Sequence, residues 1–114
     1  MGGAGCLKRY GRILKLKPEY EAEYKKYHED IWQSMKEAIH NAGVSNYSIY
    51  LHNGFLFAYM EMMEGKTLES ACLEWSTNEA CQKWDEIMCP MQQPVEGAKP
   101  DEWWVEMEEV FHQD

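Results

Sequence analysis

VSNYSIYLHNGFLFAYMEM, residues 44–62, is the stretch on which the fold turns. Val44 to Leu51 and Phe55 to Met62 are rich in β-branched and aromatic residues, the types that suit a pleated, half-buried surface. His52-Asn53-Gly54 lies between them, and Asn-Gly accepts the positive φ values of a tight hairpin turn. The two halves therefore read as antiparallel strands. Alternation along the first places Tyr47, Ile49 and Leu51 on one face.

Working upstream, Leu7 to Leu16 (LKRYGRILKL) shows imperfect alternation, with Tyr10, Arg12, Leu14 and Leu16 on one parity, and reads as a first strand. Pro18 then stands at a favoured first-turn position. Tyr20, Tyr24, His28, Ile31, Trp32 and Met35 recur three and four apart and form one inward stripe, while Glu21, Glu23, Lys25, Lys26, Glu29 and Asp30 point elsewhere. The pattern predicts a single helix of about six turns that ends at Asn41-Ala42-Gly43.

Downstream, Thr67 is a plausible N-cap for a short helix to Trp75, and Ser76-Thr77 restarts a second through Met88. Cys89 to Pro100 contains three prolines and one glycine and reads as a loop that covers a site. Trp103 to Phe111 alternates again and reads as the last strand. The order is β-α-β-β-α-β with the second helix broken in two. That is the α+β, ferredoxin-like arrangement, an antiparallel sheet with its helices on one face. Large apolar side chains occupy both strand parities, so the second face also needs a cover, most simply another copy of the chain.

At 114 residues the chain suits one domain over 1–114, with MGGAGC, residues 1–6, as a leader without assigned function. Hydrophobic content of 45% and charged content of 27% are those of a globular protein. The net charge of −9 disfavours nucleic acid or an anionic membrane as partner. No apolar run reaches membrane-spanning length and no apolar targeting segment follows the N-terminus, so a cytoplasmic location is expected. Cys6, Cys72, Cys81 and Cys89 form no C-x-x-C pair; they read as reduced thiols, with Cys72 and Cys81 as small core residues. No metal-ligand spacing, phosphate loop or Ser-His-Asp order is present.

The stripe is unusually polar for a packing face, because two phenols and an imidazole stand where aliphatic residues are the norm. Tyr24 and His28 are one turn apart and can reach the same small molecule. An imidazole titrates near neutrality and a phenol near pH 10, so together they can move a proton to and from sugar-like oxygens without a metal. The same spacing also suits a hydrogen-bonded core histidine beside half-buried tyrosines. Five tryptophans exceed packing needs, and flat aromatic faces suit the C–H faces of a sugar. His40 and His52 fall where solvent is expected, and Glu106, Glu108 and Glu109 read as a solvated acidic edge.

Y-x-x-x-H-x-x-I-W (Tyr24 to Trp32), N-Y-x-I-Y-L (Asn46 to Leu51), L-F-A-x-x-E (Leu56 to Glu61), C-Q-K-W-x-x-x-M (Cys81 to Met88) and E-V-F (Glu109 to Phe111) run collinearly along nearly the whole chain. Together they resemble the L-rhamnose mutarotase family. The resemblance implies a homodimeric α+β barrel that interconverts the α and β anomers of L-rhamnose or a related deoxy sugar, with no cofactor. It implies Tyr24 as proton donor and His28 as its catalytic partner. It further implies Tyr47 and Trp84 as sugar contacts, with Asp85 standing where the family has a second tryptophan. Two alternatives keep the fold: a non-catalytic sugar-binding or regulatory dimer, and a cofactor-free monooxygenase of the same barrel type.

Overall fold

The structure, a computed structural model, describes residues 8–114, so the readings of the leader, of Cys6 and of Leu7 as the first strand residue lie outside it. Strand β1 (Lys8–Leu16) runs through the middle of an antiparallel sheet. On one side it pairs with β3 (Phe55–Met62), which in turn pairs with β2 (Val44–His52). On the other side it pairs with two short strands, β4 (Gln92–Gln93) at Lys15–Leu16 and β5 (Val105–Met107) at Gly11–Ile13. The order β2-β3-β1 followed by β4 and β5 is that of the ferredoxin-like fold.

The hairpin forms at the Asn-Gly signal. Asn53 has φ +53° and Gly54 φ +79°, the left-handed values that this turn needs and that these residues adopt most cheaply. A second left-handed asparagine, Asn46 at φ +47°, marks a bulge between Ser45 and Ser48. The extra residue carries Tyr47, Ile49 and Leu51 to the helix side as the alternation predicts. Leu14, Leu16, Leu56, Ala58, Met60 and Met62 line that same covered face and are all buried.

The predicted long helix is two helices. α1 (Glu21–Glu29) follows a 3-10 turn at Pro18–Tyr20, and the chain leaves helical geometry at Asp30 before α2 (Gln33–Asn41) begins. Trp32 caps α2, its carbonyl accepting from the Met35 and Lys36 amides. Two cores explain the break. Tyr24 on α1, with Ile31 and Trp32 at the joint, packs into a cluster around Leu14, Leu16, Leu56 and Trp84. Ile39 and the following Ala42 serve a second cluster around Val44, Met60, Met62 and Ala71. A straight helix cannot aim one stripe at both, and Asp-Ile-Trp are weak helix formers at the point where it yields.

α3 (Leu68–Ser76) starts as expected with a reciprocal capping box: the Ser70 amide donates to Thr67 Oγ1 and the Thr67 amide to Ser70 Oγ. The N-cap of α4 (Glu79–Met88) is Asn78, not Thr77, and its Oδ1 accepts from the Cys81 amide. Cys81 is buried as expected, but Cys72 is exposed, because Ala71 takes the inward position of α3. Cys72, Cys81 and Cys89 are all free thiols.

The last strand is shorter than predicted. Only Val105–Met107 joins β1; beyond it Glu109 meets Arg9 through a side-chain ion pair of 2.9 Å instead of a ladder, and Val110 and Phe111 are exposed. The proline-rich segment is not wholly loop, since Gln92–Gln93 takes the remaining length of that strand position. The uncovered sheet face carries Ile13, Phe55, Phe57, Tyr59 and Tyr50, with Glu61 accepting hydrogen bonds from Asn46 and Tyr59 at its end.

Candidate active site

α1 places Tyr24 and His28 one turn apart, and their rings stack with centroids 4.2 Å apart and planes 26° from parallel. Tyr24 is buried and His28 half-buried. Both line a cavity of about 330 Å³, together with Lys25 and Glu29 on α1, Ile49 and Leu51 on β2 and Leu56 on β3. That is the lower range of small-molecule sites, with apolar walls and few polar groups. A larger depression of about 420 Å³ between Trp32 and Ser34 on one side and Asn78, Glu79, Ala80 and Lys83 on the other holds none of the expected proton carriers.

His28 Nδ1 lies 2.8 Å from the Tyr24 carbonyl oxygen. A carbonyl only accepts, so Nδ1 carries the proton and Nε2 is left as the acceptor of a neutral ring. Burial lowers the pKa of His28, opposed by that same carbonyl, and favours the neutral form. Tyr24 goes the other way. Burial raises its pKa, the neighbouring Tyr47 hydroxyl raises it further, and the Gln92 amide opposes the change. One group is held as a base and its neighbour as an intact O–H donor.

Trp84, on α4, is buried with its ring 5.4 Å from His28 and roughly perpendicular to it, and it meets Trp32 and Tyr27 edge-on. Tyr47 sits on the covered face of β2 close enough to be felt at Tyr24, its pKa raised by burial and lowered by Arg12. Asp85 is exposed on α4, and like Tyr47 and Trp84 it stands outside the immediate cavity lining, although its charge reaches Tyr47. Tyr24, His28 and Trp84 are thus brought into contact, Tyr47 joins them through its hydroxyl, and Asp85 stays at the outside. Among the described residues no three His, Cys, Asp or Glu side chains converge to hold a metal ion.

Two residues of this region escaped the sequence reading. Gln92 is buried and accepts from Trp103 Nε1 at 3.0 Å, which turns its amide nitrogen away from the indole. It falls in the segment read as loop, and nothing local marks it. Arg12 lies under the Trp104 ring, 5.3 Å from its centroid. Here a signal existed: an arginine on the same parity as Leu14 and Leu16 is out of place on a packing face.

Comparison with known proteins follows the same lines. A family model described as L-rhamnose mutarotase matches residues 9–113. The chain is 37% identical over 108 residues to an L-rhamnose mutarotase of Listeria monocytogenes, covering 93% of this chain and 98% of the relative. It is 33% identical over 110 residues to that of Bacillus subtilis, covering 95% and 100%. Among solved structures, an L-rhamnose mutarotase from Formosa agariphila superposes with a TM-score of 0.73 at 26% identity, over 94% of this chain and 99% of that one.

Proposed function

The chain belongs to the L-rhamnose mutarotase family, and from that premise we propose that it interconverts the α and β anomers of L-rhamnose, or of a closely related deoxy sugar, by cofactor-free ring opening at Tyr24 and His28. The observation that carries this reading is the stacked pair itself, an acid and a base one turn apart on the wall of one cavity. His28 Nε2 takes the proton of the anomeric hydroxyl as the O–H electrons form the carbonyl. The bond from C1 to the ring oxygen breaks, and that oxygen takes the proton of Tyr24. Rotation about C1–C2 and the reverse steps on the other carbonyl face return both protons, so nothing is consumed.

The sugar already mutarotates in water. A barrier reduction of about 2.7–5.4 kcal/mol, equal to about 10²–10⁴-fold and typical of positioned acid–base groups, is therefore useful. Trp84 and Tyr47 are assigned to the sugar's faces and hydroxyls, supported by their position against His28 and Tyr24, and Asp85 to the rim. We further propose a cytoplasmic homodimer. Free thiols at Cys72, Cys81 and Cys89 suit a reducing compartment. The apolar, uncovered sheet face suits a second copy.

Saturation-transfer NMR on L-rhamnose tests the activity. The protein is expected to speed exchange between the two anomeric proton signals, and the double variant Tyr24→Phe with His28→Ala to abolish the gain. No acceleration across a panel of free aldoses would sink the reading.

A further inference from the structure

Arg12 is the odd member of the covered sheet face. It lies on the central strand, with Ala58 opposite it on β3 and Glu106 opposite it on β5, and shares its parity with Leu14 and Leu16, which are 0% and 2% exposed. Arg12 nevertheless keeps partial access. Across the sheet its row runs through Ala58 to Ile49 on the cavity wall, and its side-chain neighbours are Trp104 and Tyr47, the latter felt in turn at Tyr24.

The guanidinium there is under-used. Its Nε is buried without a hydrogen-bond partner, and among the described residues no carboxylate stands within ion-pair distance of it. Trp104 covers its flat face at 5.3 Å, and its N–H edge meets the Tyr47 hydroxyl while Nε stays unmet. Arginine offers five donors and no acceptor, and a buried donor left unmade is costly, so the site is stabilised by whatever brings acceptor oxygens to it. A pyranose carries such oxygens on adjacent carbons, at spacings a planar fork can bridge.

We propose that Arg12 is a sugar-binding, specificity-determining residue of this pocket, its guanidinium donating hydrogen bonds to ring hydroxyls of the bound aldose. The inference rests on the mutarotase reading above and assigns to Arg12 the holding of the substrate, not the proton transfers. It implies that the enzyme selects for hydroxyls at the end of the sugar that meets Arg12 and accepts the deoxy carbon elsewhere.

Arg12→Met keeps the stem and removes the donors; Arg12→Lys keeps the charge and loses the fork. With L-rhamnose in saturation-transfer NMR, Arg12→Met is expected to raise KM about tenfold, which is about 1.4 kcal/mol, with kcat within about twofold. Arg12→Lys is expected to raise KM less. The stabilisation of the protein by saturating L-rhamnose in thermal unfolding should be present in the wild type and lost in Arg12→Met. The unliganded unfolding temperature should change little, since the unmet Nε donor goes together with the Tyr47 and Trp104 contacts. A KM within about twofold of wild type overturns the proposal. Should Arg12→Met not fold, the same limit on Arg12→Lys decides. If the wild type speeds no exchange, the mutarotase reading fails by itself. Arg12 is then judged on the sugar-induced stabilisation, which supports the proposal if lost in the variant and overturns it if absent from the wild type or kept in both.

Discussion

Tyr24 and His28 owe their chemistry to depth as much as to identity. The same two residues on an exposed helix would titrate near pH 10 and pH 6.5; here burial pushes the phenol up and the imidazole down, so each is shifted toward its neutral form. A base that resists protonation keeps working as the solution becomes more acidic. The acid limb of kcat/KM is accordingly expected below the ordinary histidine value of about 6.5. Stability follows the same group. Between the pKa of the unfolded chain and the lower one of the fold, the unfolded chain binds the proton more readily, so stability falls as pH falls through that window and His28→Gln flattens the slope. Tyr24 acts at the other end: its raised pKa contributes stability that is complete below about pH 10 and is lost above it. An acid limb at or above pH 6.5, measured from initial exchange rates, would contradict the burial of His28. At this scale the sequence showed the pair and its spacing. It could not show the cavity, because the opposite wall at Ile49, Leu51 and Leu56 comes from strands brought to it only by folding.

Among the elements, those with a local chemical signal are where the sequence places them. Asn53-Gly54 turns the hairpin, Gly43 at φ +88° ends α2, and Thr67 opens α3. Gly43 does a second service: a Cβ there would come within 2.5 Å of the Lys66 side chain, so glycine suits the crossing as well as the turn. The capping box at Thr67 satisfies an amide that the first turn leaves free, and Thr67→Ala is expected to cost about 1 kcal/mol in urea unfolding, read from a lower midpoint at unchanged slope. An unchanged midpoint would mean that water replaces the cap at no cost. The elements that departed from expectation are those set by distant partners. The break at Asp30–Trp32 exists because two clusters compete for one stripe. The last strand is divided because β1 offers its edge at two places, to Gln92–Gln93 and to Val105–Met107.

For the whole molecule, the helices cover one sheet face and leave Ile13, Phe55, Phe57 and Tyr59 half-buried on the other, with Tyr50 more open still. Single exposed apolar residues are common, but a contiguous aromatic patch across three strands is not. Phe57, in the centre of it opposite Ile13 and Tyr50, is the position whose loss tells most. Sedimentation analysis is expected to give the mass of two chains for the wild type and of one for Phe57→Glu, with helix content kept. A wild type that sediments as one chain would remove the second copy. Because the Tyr24–His28 cavity lies on the opposite, helix-covered face, a folded single-chain variant that still speeds anomer exchange would show that each subunit carries its own site.

The sequence by itself determined the order of the strands and helices, the turn that pairs β2 with β3, the one-turn spacing of Tyr24 and His28 and the family to which the chain belongs. Each of those rests on residues near one another along the chain, where spacing and side-chain type act directly. Tertiary structure alone decided which surfaces face one another. It bent the first helix to serve two clusters, moved Asp85 to the outside, brought Gln92 into the core, and set the Arg12 guanidinium, its Nε unmet, beside Tyr47 and Trp104. Those outcomes depend on desolvation and contact between segments far apart in the chain, and no local pattern encodes them.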